Sequence, residues 1–159
     1  MTACPTCGHV APVVLRSWET WIDAKVESAN MRSVNAGAAR WGYAKKRQEW
    51  EWRWRAAKWV HRDGDKTFIG NTAAAQCTDG DGSCIVDLEV KRYVVFTRHH
   101  SGRAREMDHA NFVGGAKGMV DAMVRVGLLV DDSPKWFEAE YVQVRSDRSG
   151  LHVRIEERA

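Results

Sequence analysis

DHANFVGGAKGMVDAMVRVGLLVDD, residues 108–132, decides how this chain is read. Phe112, Ala116, Met119, Val120 and Met123 recur at helical spacing and predict an amphipathic helix from about Asn111 to Val126, with Gly127 as its stop. Asp108 stands before that helix beside Asn111, Lys117 and Asp121 ride on it, and the acid pair Asp131-Asp132 follows its end. Carboxylates from both ends of one short helical unit are expected to converge. Hard oxygen donors of that kind suit Mg²⁺, which is commonly held by one or two carboxylates together with substrate phosphates. The expected chemistry is therefore that of phosphodiesters. Gly114, Gly115 and Gly118 each cost the helix about 1 kcal/mol relative to Ala, which predicts a close backbone approach by a partner helix or a phosphate.

Upstream of this stretch, Ile85 to Thr97 alternates and is β-branched, predicting a strand with Val86, Leu88, Val90 and Arg92 on one face. Arg98 to Arg105 reads as a basic loop carrying two histidines, and His100 and His109 are expected to face solvent or DNA. Downstream, Trp136 to Arg145 and Leu151 to Glu156 flank the turn Ser146–Gly150 and predict a closing hairpin. Near the start, Trp18 to Ser28 reads as a strand. Ser33-Val34-Asn35 then offers caps for a long helix running to about His61.

That first helix carries more apolar surface than one core stripe needs. Trp41, Gln48, Trp52 and Trp59 fall on one side, Tyr43, Trp50, Trp54 and Ala57 on another. Two readings stay open for its tryptophans. They fill the core and a subunit interface, or some of them, interleaved with Lys45, Lys46, Arg47, Arg53 and Arg55, stack on unpaired bases.

The 159 residues suit a single domain, with residues 1–16 as an extension and residues 62–84, rich in Gly and Asp, as an excursion or hairpin. Asp79-Gly80-Asp81-Gly82 lacks the closing Glu of a calcium loop, so calcium is set aside. The net charge of +3 is modest but segregated: Arg40 to Arg62 holds eight Lys/Arg against two Glu, and Asp108 to Glu140 six acids against three bases. A basic rim beside an acidic pocket suits a polyanion that needs a metal. The opening residues lack a signal-peptide pattern and no run approaches the roughly 18 apolar residues of a membrane span, so a cytoplasmic location with no membrane partner is expected.

Met107-Asp108-His109-Ala110-Asn111-Phe112-Val113-Gly114-Gly115-Ala116-Lys117, continuing through Val120-Asp121-Ala122-Met123 to Gly127-Leu128-Leu129-Val130-Asp131-Asp132-Ser133, resembles the RusA family of Holliday-junction resolvases. That family's pattern is acid-x-acid-Asn, a helix bearing Lys and Asp-Ala-Leu, then Gly-(x)-Asp-Asp. Ser33-Val34-Asn35 with Trp41 is similar to the Ser-x-Asn and aromatic motif ahead of the family's first helix. The resemblance covers residues 33–61 and 85–156. It implies an α/β (α+β) fold, a small mixed β-sheet packed against two main helices, in a homodimer that cuts branched DNA with Mg²⁺ or Mn²⁺.

Carried over by position, Asp108 matches the first metal-binding acid, Asp132 the acid after the helix with Asp131 its neighbour, and Lys117 the functional lysine. Lys45, Lys46, Arg47, Arg103 and Arg105 are the expected phosphate contacts. The position of the family's second acid holds Ala110, so the site is either rescued or silent. If residues 106–110 are extended, Glu106 shares a face with Asp108 and supplies the missing oxygen. Otherwise the chain binds branched DNA without cutting it. Lys117, Asp121 and Arg125 also fit ordinary helix-surface ion pairs, and Asp131-Asp132 fits a polar helix exit.

Cys4-Pro5-Thr6-Cys7-Gly8 has the turn chemistry of a zinc knuckle, and Cys77 and Cys84 are expected to complete a structural Zn²⁺ site.

Overall fold

The computed structural model describes residues 13–26, 36–71, 90–102 and 104–159. Within them β1 (Val14–Ile22), α1 (Ala36–Ala56), β2 (Trp59–Asp63), β3 (Lys66–Gly70), β4 (Arg92–His100), α2 (His109–Arg125), β5 (Phe137–Arg145) and β6 (Gly150–Arg158) form a mixed α/β fold. The six described strands lie in the order β3-β2-β1-β6-β4-β5, antiparallel except for the parallel pair β4 and β5. Parallel neighbours cannot be joined by a tight turn, and α2 supplies their crossover.

Alternation lines up side chains of neighbouring strands in rows across the helix-facing side of the sheet. His61, Trp18, Ile155, Val94 and Ala139 are register partners from β2 through β5, and beside them run Asp63, Arg16, Glu157, Arg92 and Phe137. Both helices cover this face. Trp54 of α1 packs 6.1 Å from Trp59 of β2, and Phe112 of α2 meets Tyr141 of β5 edge-on at 5.4 Å. Trp18, Trp54, Trp59, Phe96, Phe112, Met119 and Met123 are fully buried between the layers.

The expected second helix is present, with the expected stripe buried. Asp108 caps it by accepting from the Asn111 N–H at 3.1 Å. Gly127 ends it at φ 78°, while Leu128 N–H reaches back to the Met123 carbonyl at 2.9 Å, the wrapped C-terminal turn that favours glycine. Gly115 and Gly118 are buried, and the α1 indole of Trp54 donates to the Met119 carbonyl at 3.1 Å, so a partner helix does approach this backbone.

Four expectations change. The first strand is Val14–Ile22 rather than Trp18–Ser28, because Trp18, Thr20 and Ile22 alternate inward while paired with β6; residues 27 and 28 lie outside the described residues. The first helix ends at Ala56, not near His61. Trp59 and His61 also fit a two-residue period, and pairing with β1 and β3 turns them into strand β2. The hairpin expected after residue 62 turns on Gly64-Asp65, with Gly64 at φ 55° as a two-residue loop requires; residues 72–89 lie outside the described residues.

Alternation in β4 runs on through Arg98 and His100, which are buried strand residues and not a loop facing solvent or DNA. Finally, β5 and β6 form no hairpin. β6 is almost entirely buried and takes the sheet interior between β1 and β4, while β5, exposed at alternate positions, takes the edge. Ser146 N–H bonds the His100 carbonyl at 3.0 Å as the chain steps past the end of β4.

Burial holds the His61 imidazole, stacked 4.9 Å from Trp18, below its ordinary value of 6.5, and burial shifts His99 the same way. A depressed value means that the unfolded chain binds the extra proton first as pH falls. Unfolding free energy is therefore expected to drop as pH falls through about 6.5. His61→Phe should flatten part of that slope in urea titrations at about pH 5.5 and about pH 7.5.

Candidate functional site

Lys117 projects from the middle of α2 and is 59% exposed. Its Nζ lies 3.1 Å from Asp121 Oδ1, one turn on, and 3.3 Å from Asp132 Oδ2 in the segment after the helix. Asp121 Oδ2 in turn accepts from the Tyr43 hydroxyl of α1. Ion pairs this exposed add no more than about 1 kcal/mol to stability. The Lys117–Asp121 contact is the helix-surface pair that one-turn spacing expects, and Asp132 adds a second carboxylate from fifteen residues away. Lys117 and Asp132, singled out by the sequence, are in contact. Asp131 is turned into a local cap, accepting the Ser133 N–H at 2.8 Å.

Tyr43 was not legible as a partner. Its helical position suggested an apolar face, and the acid it meets is 78 residues away.

Asp108 is exposed at the start of α2, with its carboxylate on the main-chain and side-chain nitrogens of Asn111. From Asp108 to Lys117 the nine residues span about 13 Å of helix axis. Ala110 is exposed in the first turn of α2, so it does not share an extended face with Glu106 and Asp108 as the rescue hypothesis required. Glu106 is exposed in the preceding loop and acts on Arg98, whose guanidinium burial pushes below its usual range. Gln143 of β5 pins that loop. Its amide donates to the Met107 carbonyl at 2.5 Å and its oxygen accepts the Met107 N–H at 2.9 Å and Arg98 Nη1 at 2.7 Å.

Along α1, Lys45 and Trp52 are exposed, Trp52 by 66%, while Trp50 and Trp54 are buried. The two faces expected of this helix thus divide between core and surface. Arg47 lies 3.7 Å, Arg55 3.9 Å and Arg125 of α2 2.8 Å from Glu51, and Arg53 lies 3.7 Å from Glu49. A groove of about 560 Å³ between the helices is lined by Lys45, Arg47, Gln48, Glu51 and Arg125. The sequence pointed to Lys45 and Arg47 as phosphate contacts but to Arg125 only as a helix-surface partner of Asp121. One mostly buried carboxylate organising three guanidiniums leaves the groove cationic, as phosphate binding needs. Lys46 is half-buried nearby.

Asp108, Asp131, Asp132 and Glu106 are exposed oxygen donors of the right chemistry for a hard cation. Among the described residues no three His, Cys, Asp or Glu side chains gather as a metal-binding group. The arrangement fits Mg²⁺ only in the mode in which one or two carboxylates hold it and substrate oxygens complete the shell. Cys4, Cys7, Cys77, Cys84, Arg103 and the Ser33-Val34-Asn35 motif lie outside the described residues. Among the described residues no helix is long and apolar enough to cross a membrane. Neither any family model nor any curated protein matches this chain.

Proposed function

We propose that this protein is a homodimeric, divalent-metal-dependent endonuclease of the RusA type that acts on branched DNA. The observation that carries this reading is the 3.3 Å contact between Lys117 and Asp132, which unites the helix lysine with the acid pair beyond the helix in a solvent-facing position. Asp132, beside Lys117, is the residue that would hold Mg²⁺ or Mn²⁺ there, with Asp131 assisting; Asp108, about 13 Å of helix axis before Lys117, would reach an ion only separately. The ion supplies a polarised phosphate and an acidified water. Lys117 places positive charge where negative charge develops on the phosphorus oxygens. Lys45, Lys46, Arg47, Arg103 and Arg105, joined by Arg125, hold the backbone of the arms. Two copies related by a twofold axis match the twofold symmetry of a four-way junction.

A second reading, that the fold binds branched DNA without cutting it, is favoured by Ala110 and by the carboxylates being fewer than three at any one place among the described residues. A labelled four-way junction incubated with Mg²⁺ or Mn²⁺ separates the two. The wild-type chain is expected to nick it and Ala110→Asp to nick it about tenfold or more faster, since an added anionic ligand raises metal occupancy. Binding without nicking by the wild type, with nicking restored in the variant, selects the second reading. No binding and no nicking by either protein overturns both.

The four cysteines support a structural Zn²⁺. One equivalent per chain is expected by elemental analysis and should be lost on Cys4→Ser or Cys77→Ser; folded, zinc-free protein disposes of that proposal.

A further inference from the structure

His100 ends β4 and Arg145 ends β5, so the carboxyl ends of the two parallel strands open side by side, just ahead of α2. In open α/β sheets this is where a crevice forms and ligands collect. Two neighbouring cavities of about 400 and about 440 Å³ lie there, and His100 and Ala104 line both. Arg105, Glu106, Gln143 and Arg145 complete the polar wall of the first; Lys25, His99 and the acid Asp23 belong to the second, where Asp23 is held by the Trp21 indole and lies 3.6 Å from Arg148. Glu106 is the single acid among the described residues of the first wall.

The wall is built rather than incidental. Arg98, buried behind it, is tied to Gln143 and to the Arg105 carbonyl, and Arg145 Nη2 holds the Gly102 carbonyl at 3.1 Å. His100 is 7% exposed, and its Nδ1 is buried without a hydrogen-bond partner among the described residues. Buried polar atoms are almost always satisfied, so the orphan Nδ1 leaves room for a ligand's hydrogen bond; with Nδ1 protonated that ligand is an acceptor, and the neighbouring Arg105 and Arg145 favour an anionic one.

We infer that this paired cavity is a phosphate subsite for a polynucleotide, a reading that rests on the branched-DNA function proposed above. One backbone phosphate lies against Arg105, Arg145 and the Nδ1–H of His100, and the adjoining nucleotide occupies the second cavity beside Lys25 and His99. Free phosphate shares the chemistry of the first cavity but has nothing to place in the second. The subsite lies at the Glu106 and Asp108 end of α2, so it directs a strand across the start of that helix.

The test follows the ring nitrogens of His100 by NMR in ¹⁵N-histidine-labelled full-length protein, titrated separately with inorganic phosphate, a short single-stranded oligonucleotide and a four-way junction. Both DNAs are expected to shift the His100 ring at concentrations where inorganic phosphate does not. Arg145→Gln, at an exposed strand end where folding is not at risk, should weaken DNA binding about tenfold and reduce the slope of log affinity against log salt by about 1. Equal response to phosphate and DNA overturns the polynucleotide assignment. DNA binding that leaves the His100 ring unmoved and is unaffected by Arg145→Gln overturns the subsite while the branched-DNA reading stands. Absence of DNA binding at low salt removes both.

Discussion

Glu157→Gln is expected to lower the unfolding free energy by about 3–5 kcal/mol, because it leaves a buried guanidinium without its counter-charge. Arg92 and Glu157 are 3% and 2% exposed and face each other across adjacent strands β4 and β6. Nε and Nη2 of Arg92 donate to Glu157 Oε1 at 3.2 and 3.1 Å, and Nη1 donates to the Leu128 carbonyl at 2.5 Å. Arg16 Nε reaches Glu157 Oε2 at 3.4 Å, and the Arg92 guanidinium lies 4.9 Å from the Trp18 ring. One carboxylate thus compensates two cations. Arg16 is about a quarter exposed and can find water, but Arg92 cannot.

Replacing both partners by apolar residues, Arg92→Met with Glu157→Leu, should return most of the loss, since only the partly exposed Arg16 is then left without its counter-charge. Urea denaturation of the two variants is the measurement. A single substitution costing less than about 1 kcal/mol would show that the pair carries no weight in the fold.

If the chain is the nuclease proposed above, Lys117→Ala is expected to reduce the rate of junction cleavage by about 10²–10³-fold, the size seen when one preorganised donor to developing charge is removed. Stability should change by under about 1 kcal/mol, because both of its ion pairs are largely solvent-exposed. DNA affinity should fall less than tenfold, since one phosphate contact among many is lost. Lys117→Arg keeps the charge but not the compact ammonium geometry and should recover part of the rate. Single-turnover cleavage at saturating protein isolates this step. A rate within threefold of wild type would make Lys117 an ordinary surface lysine.

Local features of the fold could be read directly from the residues. The second helix announced itself through its stripe, its Asp108 cap and its Gly127 stop, all of which act within a few residues of one another. Sheet order was not legible. Leu151 to Glu156 alternates no differently from an edge strand, and only its partners on both sides, Trp18 and Val94 meeting Ile155, make it central. Trp59 misled because one large apolar residue fits the end of a helical period and the start of a strand equally well.

Charged residues in the core misled in a different way. Arg98 and His100 read as a basic loop because nothing nearby in sequence reveals that Gln143 and Arg105 receive the Arg98 guanidinium. For the site, the motif identified Lys117 and Asp132, which do meet, whereas Asp108, expected to converge with the acid pair, stands about 13 Å of helix axis before Lys117 with its carboxylate on Asn111. Tyr43 on Asp121 and Arg125 on Glu51 depend on how two helices pack, and spacing along the chain carries no trace of that.

The position of β6 also governs assembly during synthesis. β3-β2-β1 on one side and β4-β5 on the other share no ladder; each meets only β6. A nascent chain that has not yet delivered residues 150–158 therefore holds two incomplete pieces of sheet with β1 and β4 as bare edges, the kind of edge that recruits foreign strands. Final closure waits on contacts between segments more than 130 residues apart, such as Trp21 with His152. Until residues 150–158 add to the sheet, both pieces keep an unpaired edge, and association there competes with closure.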